Sequence, residues 1–211
     1  MGGTVVRMTP DTRPQGPMEG GLLEGFLSRQ RGKMADSLIP ADSRKGRLLD
    51  LGCGEHHRFL KSTTFAEKYG LDRLSGREGH EPGPDVVTRL DCDIETVDVL
   101  PFADEYFDVV TMLAVFEHID PERLVRLVAE IRRLLKPGGV YILTTPAAWT
   151  EGLLRLLARL KVVDPVLVAE HKDAYSHAKI SAILQRGGFS SDRIRLGYFE
   201  LFLNVWAVAR K

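Results

Sequence analysis

Two glycines flank a cysteine in Asp50-Leu51-Gly52-Cys53-Gly54, directly after a short apolar run. The missing side chains at 52 and 54 let a ligand approach the backbone closely. Asp50 stands just ahead of them, where its carboxylate would repel a pyrophosphate. His57 occupies the place, three after Gly54, where a nicotinamide-binding fingerprint continues with a third glycine. An uncharged or cationic ligand suits this bend better. Other residues with chemical potential are the acids Asp72, Asp91, Asp93 and Asp108, the neighbours Glu117 and His118, and a late group of Trp149, His171, Tyr175 and His177. Glu55, His56 and His57 are consecutive on a turn, so their side chains diverge, and no metal site is expected.

These residues need elements to position them. Arg47–Leu51 reads as a strand running into the glycine bend, and His57 to Lys68 as a helix. Tyr69–Leu71 is a second strand ending at Asp72, and Ser75 to Pro84 is a Gly/Pro-rich loop where a crossover helix would be expected. Val86–Leu90 is a third strand, and Phe107–Leu113 a fourth that is buried on both faces. Asp120 and Pro121 open a helix whose apolar residues repeat from Leu124 to Leu135, until Pro137-Gly138-Gly139 stops it. Val140–Thr144 is a fifth strand, Gly152–Leu160 an apolar helix, and Ser176–Arg186 a helix closed by two glycines. Arg193–Tyr198 and Leu201–Ala209 follow closely enough to pair as an antiparallel hairpin. An amphipathic helix over Gly21–Ser37 precedes all of these. Alternating strands and helices predict a three-layer α/β/α sandwich on a seven-stranded, mostly parallel sheet, with ligands beyond the carboxyl ends of its strands.

The whole is expected to be one domain over 21–211, after a flexible leader of residues 1–20 that has no apolar run of signal-peptide length. The 29 basic and 29 acidic residues cancel, so no overall positive field favours nucleic acid as a partner. The longest apolar stretch is broken by Arg155, Arg159 and Lys161, which argues against stable membrane insertion. Two cysteines without a C-x-x-C spacing suit a reducing, cytoplasmic setting. The apolar final strands complete the sheet, or pair two chains if exposed at its edge, leaving monomer and homodimer open.

Beyond the glycine bend, the chain resembles the class I, Rossmann-like S-adenosylmethionine-dependent methyltransferases, and specifically the type 11 group. Their first signature is an acid followed by Gly-x-Gly, as in Asp50 to Gly54. Tyr69-Gly70-Leu71-Asp72-Arg73 resembles their second strand, and Asp91-Cys92-Asp93-Ile94 the third-strand segment. Leu100 to Val110 resembles the loop and fourth strand, and Val115-Phe116-Glu117-His118-Ile119 the segment after it. Leu134 to Gly139 is similar to the turn before strand five. These matches fall in order over roughly residues 46 to 145.

The resemblance implies S-adenosylmethionine as cofactor. It assigns Asp50, Gly52, Cys53, Gly54, Asp72, Arg73, Asp93, Ile94 and Leu113 to its binding. Asp72 would take the ribose hydroxyls, as a carboxylate can, Asp93 would accept from the adenine amino group, and Ile94 would offer backbone and apolar contact. Cys53 is then a small turn residue whose exchange for Ala or Ser leaves activity intact. His56 stands where the family often has a third glycine, and reads equally as a cofactor contact or as a solvent-facing side chain.

Methyl transfer from a sulfonium needs alignment above all, and a base where the acceptor is a hydroxyl or an acidic carbon. His118 is the candidate base, since histidine titrates near neutrality. Glu117, Trp149, His171 and Tyr175 are candidate substrate contacts, with capping and packing as their ordinary alternatives. Residues 147–175 are a candidate lid. The expected function is transfer of a methyl group to a small-molecule acceptor. A non-catalytic, cofactor-binding regulatory protein and a dinucleotide-dependent oxidoreductase are the competing readings.

Overall fold

A computed structural model describes residues 22–54, 56–73, 87–150 and 175–211. The expected leader, the loop at 75–84, the helix at 152–160 and most of the 147–175 segment, His171 included, lie outside the described residues.

The described strands are β1 (Arg47–Leu51), β2 (Glu67–Asp72), β3 (Val87–Asp91), β4 (Phe107–Leu113), β5 (Leu135–Pro146), β6 (Ile194–Phe199) and β7 (Asn204–Arg210). They form one seven-stranded sheet in the order β3-β2-β1-β4-β5-β7-β6. The first five are parallel, and β7 pairs antiparallel with both β5 and β6. Helices α1 (Leu22–Leu38) and α2 (Arg58–Ser62) lie on one face. Helices α3 (Pro121–Leu134) and α4 (His177–Arg186) lie on the other. The three-layer α/β/α architecture with an antiparallel C-terminal hairpin is the one expected.

Strands β1 and β4 are apolar on both faces because both faces are covered. Leu49 and Leu51 join the core beneath α3, while Leu48 joins the one beneath α1. In α3, Leu124, Leu127, Val128, Ile131 and Leu134 form one buried stripe. Each such side chain contributes about 1.5–3 kcal/mol on burial. Asp120 caps the helix by accepting a bond from the Glu122 amide (3.0 Å), with Pro121 in the first turn.

Several boundaries differ from expectation for identifiable reasons. Helix α2 stops at Ser62 rather than running to Lys68. The Thr63 hydroxyl donates to Asp36 (2.6 Å), and Arg44 donates to both of these side chains, which holds Thr63 in extended backbone. The chain then enters β2 at Glu67, earlier than Tyr69. Pro137-Gly138-Gly139 does not separate helix from strand. It lies inside β5, where the register with β4 shifts between Phe107 and Val109 and Gly138 takes φ +78°. The Gly138 amide and Gly139 carbonyl bond the Lys211 backbone, so the glycines seat the chain's last residue. Leu201 and Phe202 are not strand residues. With Glu200 they form a turn at φ +50 to +69°, and they are exposed at its tip.

Candidate functional site

The parallel strands β1, β2, β3 and β4 end along one edge, and there the predicted residues converge. Gly52 has φ +73°, and its amide extends the β1/β2 ladder by bonding the Leu71 carbonyl (2.8 Å). A β-carbon at this position would overlap the Val115 side chain. Gly54 has φ +69° with open space where a β-carbon would stand. Asp72, at the end of β2, accepts from the Gly54 amide through Oδ2 (2.6 Å) and from the Arg73 amide through Oδ1 (2.7 Å). It thereby holds the bend in shape and keeps lone pairs for a ligand.

Asp93 lies two residues past β3. Its Oδ1 accepts from the Glu95 amide (2.9 Å), and its Oδ2 lies 3.5 Å from the exposed Arg73 guanidinium. A cleft opens between these groups, lined by Gly52, Asp72, Arg73, Asp93 and Ile94 on one side and by Val115, His118 and Ile119 on the other.

Other predicted residues sit around the cleft rather than on it. Asp50 is buried behind the bend, where the Thr111 hydroxyl of β4 donates to it (2.6 Å). Burial, reinforced by the nearby Asp72 charge and opposed by the Thr111 bond, pushes its carboxyl up to about 7. The Cys53 thiol turns away to pack on Gly70. Burial, then the charges of Asp50 and Asp72, raise it to about 12. Leu113 packs against the core under α1. His56 is exposed.

Phe116–His118 is a short 3₁₀ turn after β4, and it points its three side chains differently. His118 faces the cleft. Glu117 is buried, accepts from the Thr145 hydroxyl of β5 (3.0 Å), and has its carboxyl raised by that burial. Trp149 is exposed just after β5. Tyr175 is 1% exposed, stacks edge-on against Phe116 and donates its hydroxyl to the Ile119 carbonyl (3.4 Å). An aromatic side chain with its polar end already satisfied packs where the core has room for it. Tyr175 therefore supports the His118 turn from behind instead of lining the cleft.

Two contributors were not legible in sequence. Arg123, buried at the start of α3, donates through Nε (3.3 Å) and Nη2 (3.1 Å) to the Ile94 carbonyl, clamping the Asp93-Ile94 segment from below. Thr111 orients Asp50. Neither has a local motif, because each partner is distant in sequence.

The cleft suits S-adenosylmethionine on its own geometry. The side-chain-free bend admits a ligand against backbone, two carboxylates stand at separate points for a ribose diol and an amine, and Ile94 and Val115 offer apolar surface. The acidic surroundings favour a cationic over a diphosphate ligand. Among the described residues no three His, Cys, Asp or Glu side chains converge as a metal site would require.

Comparison with known proteins agrees with this geometry. The profile of a methyltransferase domain matches residues 49–143. A malonyl-[acyl-carrier protein] O-methyltransferase of Methylococcus capsulatus is 30% identical over 215 residues, covering 96% of this chain and 72% of that protein. A probable S-adenosylmethionine-dependent methyltransferase of Mycolicibacterium smegmatis is 28% identical over 154 residues, covering 72% and 55% respectively. Among solved structures, a possible histamine N-methyltransferase from Thermotoga maritima superposes with a TM-score of 0.64 at 20% identity, over 89% of this chain and 90% of that one. A structure from the complex of the Haloferax volcanii Trm112 methyltransferase activator with a putative methyltransferase gives 0.65 at 19% identity, over 88% and 92%. At these identities the structural likeness speaks for the fold.

Proposed function

Because this chain belongs to the class I S-adenosylmethionine-dependent methyltransferases of the type 11 family, we propose that it methylates a small-molecule acceptor held against the His118 turn. The cofactor supplies an electrophilic methyl group on a positively charged sulfur, so the protein's own task is alignment and, where the acceptor requires it, removal of a proton. In this reading Asp72 accepts from the ribose hydroxyls, Asp93 from the adenine amine, and Ile94 packs on the ring. Arg73 restrains Asp93, and Asp50, held by the Thr111 hydroxyl, backs the bend from within the core. His118 takes the acceptor's proton at its imidazole, while buried Glu117, tied to Thr145, fixes the turn that carries it. Trp149, exposed beyond β5, contributes to the acceptor side.

The observation that carries this reading is the cleft itself, where the bare glycine bend, Asp72 and Asp93 face His118 across one opening. The acceptor class rests on the balanced charge of 29 basic and 29 acidic residues. The test incubates the protein with methyl-labelled S-adenosylmethionine and three acceptor sets: a metabolite library, bulk tRNA and malonylated acyl-carrier protein. Label in small molecules only is the expected result, and label in RNA or carrier protein would overturn the acceptor class. In the labelled reaction, His118→Ala should lower kcat by about 10²–10⁴ and flatten its pH dependence, with cofactor affinity unchanged. An unaltered pH profile would remove His118 as the base.

A further inference from the structure

Among the described residues, nothing covers one face of the last two strands beside the end of α1, away from the cofactor cleft. In the β6/β7 hairpin Arg195 pairs with Val208 and Gly197 with Trp206. Alternate residues of a strand share a face, so Arg195 and Gly197 lie with Val208, Trp206 and Arg210. Ile194, Leu196, Ala207 and Ala209 turn to the core on the side of α4. Helix α1 covers the neighbouring strands only as far as Leu38, and a groove of about 460 Å³ opens beside its end. Leu38, Pro40, Val140 and Val208 supply its apolar lining. The Trp206 indole lies across Gly197, where any β-carbon would run into the ring, so the glycine permits a flat aromatic wall.

The groove is rimmed by Arg193, Arg195 and Arg210. Arg193, in the turn just before β6, brings a third guanidinium to the same rim as Arg195 and Arg210. Asp192 is the acid at this rim, next to Arg193 and bonded by the Ser190 hydroxyl. Arg195 and Arg210 have no carboxylate partner among the described residues, whereas Arg44, Arg123, Arg133 and Arg186 each have one.

We propose that this groove binds a small organic anion, with an apolar ring or short chain against Trp206 and a carboxylate or phosphate facing Arg195 and Arg210. Its volume falls in the range of small-ligand sites. A second copy of the chain would set arginines against arginines across a two-fold axis. A membrane surface calls for protruding apolar side chains, and Trp206 is laid flat in a recess. The groove opens around Val140 and Arg210, toward the opposite strand ends from the cleft, so the two sites do not share residues.

The chain has two tryptophans, Trp149 and Trp206, hence two indole N–H resonances, which Trp149→Phe assigns. Titration of the isotope-labelled protein with 2-naphthoate should move the Trp206 resonance saturably, with saturating S-adenosylhomocysteine present or absent. The neutral 2-naphthalenemethanol should bind at least about tenfold more weakly, as should 2-naphthoate to Arg195→Ala/Arg210→Ala, since each loses charge-assisted bonds. Equal binding of acid and alcohol, undiminished binding to the double variant, displacement by S-adenosylhomocysteine, or no shift at Trp206 would each overturn the proposal. The acid and alcohol are compared on the unaltered protein, so that arm decides even if the variant misfolds.

Discussion

At the scale of single residues, Asp72 braces the glycine bend by accepting the Gly54 and Arg73 amides, and in the proposed reading it also accepts from the ribose hydroxyls, so Asp72→Ala should remove both. Loss of a charged hydrogen bond predicts cofactor affinity weaker by roughly 1.5–3 kcal/mol, measurable by calorimetry; unchanged affinity would reject the assignment. The neighbouring thiol has no such duty. With its pKa pushed up to about 12, Cys53 is a poor nucleophile at neutral pH, and Cys53→Ser should retain activity.

Asp50 behaves differently, because its folded pKa of about 7 lies above the ordinary 3.8. Between those values the native state keeps a proton that the unfolded chain releases. Stability from this group is therefore full at the acid end and lost as pH rises through about 7. Asp50→Asn lacks this loss, so urea titrations should find the variant gaining on the wild type as pH climbs. A pH-independent difference would show that Asp50 is ionised throughout.

At the scale of elements, the bend between β1 and α2 combines two glycines that look alike in sequence and differ in setting. Gly54→Ala meets only the cost of a left-handed residue, about 1–2 kcal/mol, since nothing stands near its β-carbon. Gly52→Ala incurs that cost and also drives a methyl into Val115, adding overpacking of about 1–3 kcal/mol. Thermal unfolding should rank Gly52→Ala clearly below Gly54→Ala, and the reverse order would contradict the packing described for Val115. The same segment explains why α2 is short. Thr63 is bonded by Asp36 and Arg44 near the end of α1, and those bonds hold it where its backbone is extended.

At the scale of the whole molecule, the sheet order brings the ends of β1, β2, β3 and β4 together, so one ligand can touch residues far apart in sequence. A ligand that bridges them stabilises the fold by mass action, about 2.7 kcal/mol at a hundredfold excess over Kd. S-adenosylmethionine and S-adenosylhomocysteine should raise Tm, and NAD should not. A Tm rise with NAD alone would contradict the acid-lined cleft as a site selective against diphosphates. Among the described residues no helix is long and apolar enough to cross a membrane.

What the sequence determined by itself is local or periodic: the bend of Gly52 and Gly54, the acids at strand ends, the capped and striped α3, the apolar β1 and the doubly buried β4. These signals survive because backbone sterics and burial period act over a few residues. What only tertiary structure decided depends on long-range partners. Tyr175 went to the core, Glu117 was buried against Thr145 while its neighbour His118 reached the cleft, and Arg123 clamped a carbonyl 29 residues away. The Pro-Gly-Gly turn became a bulge inside β5, and Leu201 and Phe202 became an exposed tip, because strand pairing with β4 and β7 set the register. Which face a side chain takes is fixed by the neighbour that pairs with its strand, and that neighbour is chosen by the fold.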